Sequence, residues 1–148
     1  MSVKIEITKN PFSDHLKKDV VEFEKESIGE EEEEDGQGNN NNYISRFFWP
    51  CKESRDDFLI SVRNKSGKLI GVAWINNGYE KLELYVTFII VHKMFRRQGV
   101  CRTMINKLVE LNKDICLTCE DHFVTIYEKL GFVVENFTGL NDMRLSSS

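Results

Sequence analysis

The sequence has no apolar run near the roughly 18 residues that a membrane-spanning helix requires, and residues 1–12 lack the charged and apolar regions of a secretory leader. The expectation is a soluble intracellular protein, cytoplasmic with the nucleus left open, and no membrane partner. Cysteine is sparse. Cys51, Cys101, Cys116 and Cys119 lie in or beside apolar segments without the density or spacing of a disulfide framework, so they read as reduced thiols. Cys116 and Cys119 form a C-x-x-C, but the other two cysteines are scattered and no histidine pair stands at a ligand spacing. No metal is expected, and both thiols read as small hydrophobes in and just after a short strand. Positive charge is in deficit: 20 Lys and Arg against 24 Asp and Glu leave a formal charge of -4, which argues against a general nucleic-acid binder.

What is present is ordinary for a globular chain: 41% hydrophobic and 11% aromatic residues in 148, enough for one domain over residues 1–148. Val3 to Thr8 alternates as a half-buried strand ended by Pro11. Ser13 then suits a helix N-cap, with Leu16, Val20 and Phe23 on one face of a helix reaching about Ser27. Glu30 to Asn42 holds five glutamates, an aspartate and four asparagines, and reads as a mobile, solvated acidic loop. Tyr43 to Trp49 reads as a short helix or turn whose aromatics cover the sheet edge or wall a pocket. Phe58 to Arg63 and Leu69 to Ile75 are strands joined by a turn at Asn64-Lys65-Ser66-Gly67, and Asn76-Asn77-Gly78 turns into a further strand.

The chain is organised around Glu83 to Val109. Leu84, Val86, Phe88 and Ile90 recur at period two and the interleaved residues are largely apolar, so this strand reads as central and buried on both faces. Regularity would put Glu83 on the face of Tyr85, Ile89 and Val91. A cationic loop with Lys93, Arg96 and Arg97 leads to Gly99. Cys101, Met104, Ile105, Leu108 and Leu111 then repeat at helical spacing. A glycine before a helix start lets backbone approach a ligand, and the unpaired first-turn amides favour an anion, so the junction suits a phosphate. Beyond it, Ile115 to Thr118 is a short strand, and Asp121 to Leu130 a helix with Phe123, Ile126, Tyr127 and Leu130 inward, capped by Gly131. Phe132 to Phe137 is a strand, Asp142 to Leu145 a final edge, and Ser146 to Ser148 a frayed tail.

Arg96-Arg97-Gln98-Gly99-Val100-Cys101 resembles the Q/R-x-x-G-x-G/A signature of the GNAT superfamily of N-acetyltransferases, and Tyr127-Glu128-Lys129-Leu130-Gly131-Phe132 resembles its Y-x-x-x-G-F segment. Cys101 stands where the family has glycine or alanine. Glu120 and Phe123 stand where it often has asparagine and alanine; the first change loses a pantetheine hydrogen bond and the second adds bulk beside it. The resemblance implies an α/β fold with a central mixed sheet flanked by about four helices, and transfer of acetyl from acetyl-CoA to a primary amine of a small-molecule or peptide acceptor, with no metal. It assigns cofactor binding to Arg96, Arg97, Gln98, Gly99, Val100, Cys101 and Arg102, with the backbone of Ile89, Ile90 and Val91 along the pantetheine. Tyr127 matches the family's proton donor to the CoA thiolate. For the base, some members carry a glutamate on the central strand. Here Tyr85 stands where it is most expected and Glu83 would act through a water, with His92 and His122 as lesser candidates.

The net charge and the acidic loop lean toward a cationic acceptor such as a polyamine, a basic metabolite or a lysine side chain. Two rivals stand beside this reading: a non-catalytic acyl-CoA-binding or interaction module, suggested by Cys101, Glu120 and Phe123, and a generic phosphate-binding α/β domain.

Overall fold

The computed structural model of the chain describes residues 2–28, 56–77 and 83–147. The acidic segment Glu30 to Asn42, the aromatic segment Tyr43 to Trp49, Cys51 and Gly78 lie outside the described residues. The elements in order are β1 (Val3–Lys9), α1 (Asp14–Ile28), β2 (Phe58–Asn64), β3 (Leu69–Asn77), β4 (Glu83–Val91), a 3-10 turn (Lys93–Phe95), α2 (Val100–Val109), β5 (Asp114–Cys119), α3 (Asp121–Lys129), β6 (Val133–Phe137) and β7 (Asn141–Leu145). The described residues thus hold three α-helices where about four were expected, and the short helix expected over Tyr43 to Trp49 falls outside them. No helix among the described residues is long and apolar enough to cross a membrane.

The seven strands form one mixed sheet in the order β1-β2-β3-β4-β5-β7-β6. Every pairing is antiparallel except β4 with β5. Local chemistry explains the antiparallel half. The Asn64 Oδ1 accepts from the Ser66 and Lys68 amides at 3.1 and 3.0 Å, closing the β2–β3 turn. Ser13 caps α1, its Oγ accepting from the Leu16 amide at 3.1 Å. One face of the sheet is covered by α1, where Val20 and Phe23 pack with Leu59, Val72, Trp74 and Phe88. The other is covered by α2, whose Val100, Met104, Ile105 and Leu108 pack with Ile60, Ile70, Ile75 and Leu84. That second contact needs a glycine: a Cβ on Gly71 of β3 would sit 2.7 Å from Val100 Cγ1.

Three sequence expectations are corrected. The apolar alternation of β4 does not mark a single face. Trp74 pairs with Phe88 and Ile75 with Val86, so Thr87 opposes no β3 residue and forms a bulge. Asn76 Nδ2 donates to Thr87 Oγ1 at 2.9 Å across this point. One extra residue inverts the alternation. Leu84 and Val86 pack on the α2 side together with Ile89 and Val91, whereas Phe88 and Ile90 pack on the α1 side. Glu83 and Tyr85 therefore lie on the face opposite Ile89 and Val91.

Next, β7 is no edge. It inserts between β5 and β6, burying Met143, and β6 is the exposed rim along its whole length. Finally, α3 presents Val124, Tyr127 and Leu130 to the core, while Phe123 and Ile126 remain 43% and 51% exposed. Phe132 sets this orientation by packing edge-on against Tyr127, with ring centroids 5.7 Å apart. Helix α2 likewise ends at Val109, leaving Leu111 exposed beyond it.

Candidate active site

The site follows from how little β4 and β5 share. They pair only at Glu83 with Asp114, Leu84 with Ile115 and Tyr85 with Cys116. Past Tyr85, β4 turns away at the Thr87 bulge. Val86 to Val91 then has no paired residue on that side among the described residues, while β5 runs on to Cys119. Backbone donors and acceptors on such a parted edge can take an extended ligand as a further strand.

Two hollows meet where the strands part, sharing Leu117 and Thr118. The smaller, about 310 Å³, runs along the free edge of β4 past Ile89 to Glu120, Phe123 and Tyr127. The larger, about 900 Å³, lies on the face that carries Glu83, Tyr85, Cys116, Asp142 and Arg144. Period two in β5 explains the division: Ile115, Leu117 and Cys119 are buried, while Cys116 and Thr118 point the other way. Cys116 and Cys119 thus face opposite sides of the strand. Cys119 Sγ lies 3.6 Å from Met143 Sδ, and among the described residues no group of three or more His, Cys, Asp or Glu could hold a metal ion.

The loop before α2 is held by its own side chains. His92 is buried; its Nδ1 accepts from the Met94 amide at 3.1 Å and its Nε2 lies 2.9 Å from Glu26 Oε2, so both ring nitrogens are engaged locally. Arg96 clamps the loop to the end of α1, donating from Nε to the Val91 carbonyl at 3.2 Å and from Nη2 to that of Ser27 at 3.1 Å. Gln98 turns back toward the Met94 carbonyl at 3.5 Å.

Arg97 and Gly99 both take positive φ, 64° and 85°, and α2 begins at Val100 with no side-chain cap. The first helical acceptor is the Gly99 carbonyl, which takes the Thr103 amide at 2.9 Å. The amides of Val100, Cys101 and Arg102 precede that bond, so they are the first-turn donors that an α-helix cannot satisfy internally. Lys93, Arg97 and Arg102 are exposed around them. Cys101 is half-buried, and burial pushes its thiol up to about 11 despite the opposing charge of Arg102.

Tyr127 lines the smaller hollow. Burial raises its phenol far above the usual range, with Cys101 and Cys119 adding to the rise, so it is protonated at neutral pH. Glu83 and Tyr85 lie instead in the larger hollow. Arg144 donates to Glu83 Oε1 at 2.8 Å, to Asp114 Oδ2 at 2.9 Å and to Glu135 Oε1 at 2.8 Å, tying β4, β5 and β6 together where β4 and β5 still touch. The Tyr85 hydroxyl donates to Thr118 Oγ1 at 3.0 Å, which in turn donates to Asp142 Oδ1 at 3.0 Å. His122 is exposed, its Nδ1 3.5 Å from Glu120.

Ile89, Ile90 and Val91 stand on the unpaired stretch of β4, Ile89 lining the smaller hollow. Sequence reasoning missed Thr118 and Asp142, which no motif contains. The alternation of polar Asp142 and Arg144 around buried Met143 was the one available signal.

A family profile described as "Acetyltransferase (GNAT) family" matches residues 18–132. Over 106 residues the chain is 26% identical to the cysteine-rich protein 2-binding protein of Mus musculus; the match takes in 66% of this chain but only 14% of that relative's length. Among solved structures, a spermidine N-acetyltransferase SpeG chimera from Vibrio cholerae and hSSAT superposes with a TM-score of 0.70 at 18% identity, covering 99% of this chain and 96% of that one. The PaiA N-acetyltransferase of Thermoplasma acidophilum, in complex with coenzyme A, superposes with a TM-score of 0.68 at 15% identity over 100% of both chains. At these identities the superpositions speak for the fold alone. With a profile spanning most of the sequence, a sheet that parts between β4 and β5, and an uncapped helix start beside the opening, the chain belongs to the GNAT acetyltransferase family.

Proposed function

We propose that the chain is an acetyl-CoA-dependent N-acetyltransferase that passes acetyl directly to a primary amine of a cationic acceptor. The observation carrying this reading is the meeting of two chemically opposite hollows at Leu117 and Thr118. One adjoins the free β4 edge and Tyr127. Among the described residues, the other is lined by Asp56, Asp57, Glu83, Glu135 and Asp142 against the guanidinium of Arg144, an excess of negative charge that concentrates ammonium groups.

In this reading acetyl-CoA supplies an activated thioester and everything else is done by the chain. The amides from Arg96 through Arg102, chiefly those of Val100, Cys101 and Arg102, take the pyrophosphate, with Lys93, Arg97 and Arg102 countering its charge. The backbone of Ile89, Ile90 and Val91 holds the pantetheine arm as an added strand. This places the thioester at the parting of β4 and β5, between Tyr127 on one side and the acidic hollow on the other. Tyr127 gives its proton to the departing thiolate. Glu83 is tied up by Arg144, so its contribution is to the charge of the acceptor side.

The test is CoA-thiol release from acetyl-CoA with spermidine, amino sugars, amino acids and lysine peptides, alongside thermal stabilisation by CoA, ATP and inorganic phosphate. Thiol release favouring polycations, with stabilisation selective for CoA, is expected. Selective stabilisation with a silent amine panel would make the chain an acyl-CoA-binding module, the reading that Glu120 and Phe123 in the smaller hollow favour. Equal stabilisation by all three ligands would leave only a phosphate-binding domain.

A further inference from the structure

Acetyl transfer to a cationic amine needs a proton acceptor, because an ammonium nitrogen has no lone pair with which to attack. The candidates named by motif are occupied: Glu83 is bound by Arg144, and both nitrogens of His92 are engaged away from the hollows. A different group of side chains sits at the junction. Thr118 lines both hollows, at the middle of the free half of β5. Tyr85 Oη donates to Thr118 Oγ1 at 3.0 Å, and Thr118 Oγ1 donates to Asp142 Oδ1 at 3.0 Å.

A hydroxyl has one proton and two lone pairs. Here the proton is committed to Asp142 and one lone pair to Tyr85, which leaves one lone pair without a partner among the described residues, on a side chain that lines both hollows. The chain joins three strands: Tyr85 on β4, Thr118 on β5 and Asp142 on β7. Arg144, two residues on along β7, already donates to Glu83, Asp114 and Glu135. The carboxylate of Asp142 is therefore not consumed by an ion pair with Arg144.

Resting on the acetyl-transfer reading, we infer that Thr118 and Asp142 form the proton relay of the acceptor amine: Thr118 Oγ1 receives an ammonium proton while passing its own to Asp142, and Tyr85 fixes the Thr118 rotamer. One N–H bond breaks, one O–H bond forms at Thr118, and the Thr118 proton ends on Asp142, converting ammonium and carboxylate into neutral amine and carboxylic acid. The nitrogen lone pair then forms the N–C bond to the acetyl carbon as the C–S bond breaks. The thiolate takes the Tyr127 proton, the second nitrogen proton restores the Tyr127 phenol, and Asp142 releases its proton to solvent. The nitrogen loses two protons, one of them ending on CoA thiol and one in solvent.

The relay is tested by thiol release with two acceptors: spermidine, cationic at neutral pH, and trifluoroethylamine, largely uncharged there. Asp142→Asn keeps an acceptor for the Thr118 hydroxyl but cannot take the proton, so kcat with spermidine falls about 100-fold, the low end of the usual general-base effect, while kcat with trifluoroethylamine changes less than about 3-fold. Thr118→Val repeats the pattern and Thr118→Ser restores spermidine turnover to within a few-fold. A mere folding defect would depress both acceptors alike and lower the melting temperature of Asp142→Asn, which overturns the relay. So does full spermidine turnover in Asp142→Asn or Thr118→Val, an outcome that leaves acetyl transfer standing. Wild-type protein that binds CoA yet releases no thiol with any amine overturns the transfer reading and the relay with it.

Discussion

Substituting Gly71 by alanine tests whether the helix start depends on a packing contact rather than on its own sequence. Gly71 lies in β3, paired with Val62 and Val91, and faces α2. An added Cβ would stand 2.7 Å from Val100 Cγ1, 3.0 Å from Met104 Cε and 3.4 Å from Met104 Sδ. The methionine end can rotate away at little cost. Val100 cannot: it is branched at Cβ, buried, and the first residue of α2. Moving its methyl from 2.7 Å to an ordinary 3.4 Å displaces the helix start by about 0.7 Å. Overpacking of this kind costs roughly 1–3 kcal/mol, and about 2 kcal/mol lowers Tm by roughly 4–8 °C in a chain of this size. The displaced residue carries one of the amides assigned to the pyrophosphate, so losing one charge-assisted hydrogen bond of about 1.5 kcal/mol weakens CoA binding roughly tenfold. Thermal unfolding and calorimetric titration with CoA measure the two losses. Adding Val100→Ala removes the obstructing methyl and should restore part of both, a coupling that two independent defects would not give. Unchanged Tm and CoA affinity in Gly71→Ala would refute the claim that this contact sets the loop.

Three further outcomes are expected. Tyr127→Phe retains CoA stabilisation but turns over about 100-fold more slowly, since it removes an acid without touching the pyrophosphate site; full turnover would eliminate Tyr127 as the donor. Cys101, with its thiol raised to about 11, is about one part in a thousand thiolate at pH 8. Iodoacetamide followed by peptide mass spectrometry should therefore find it unmodified in folded protein and fully modified after denaturation; fast labelling in the native state would contradict its burial. The Asp114 carboxyl is held below its ordinary value by the Ser147 amide and then by Arg144. A depressed folded value contributes stability that is complete above about pH 4 and lost as pH falls through the folded value. Wild-type Tm should drop across that acid window and Arg144→Met should drop less steeply there, the Ser147 contribution remaining; parallel curves would deny the pairing.

Much of the frame was legible because its determinants are local. The Ser13 cap, the Asn64 turn and the Gly99 helix start are each fixed by a few adjacent residues whose geometry has few alternatives. The family resemblance likewise rested on two short segments lying close to their ligand-facing backbone. What was not legible came from between elements. Nothing in the run from Glu83 to Val91 announces that Thr87 is extra, because every residue around it is apolar or β-branched and fits either face; the bulge is defined by the pairing of Phe88 and Val86 with successive β3 residues. The position of β7 was misjudged for a related reason. Alternation around Met143 fits an internal strand as well as an edge, and insertion between β5 and β6 is decided by tertiary pairing.

The bulge and the Arg144 cluster together explain how one strand serves two faces. Were Thr87 paired in regular register, Tyr85 and Ile89, four residues apart, would share a side of the sheet; because Thr87 bulges, Tyr85 stands in the acidic hollow while Ile89 lines the opposite cleft. Arg144 holds β4, β5 and β6 together at Glu83, Asp114 and Glu135, immediately before β4 and β5 part, so the opening starts from a pinned end rather than from a loose pair of strands. Charge is divided along the same line. Lys93, Arg97 and Arg102 gather at the start of α2, whereas five carboxylates gather in the larger hollow. A net charge of -4 conceals this separation. In the proposed reaction an anionic donor and a cationic acceptor approach from opposite sides, each drawn to its own side, and meet where Leu117 and Thr118 line both hollows.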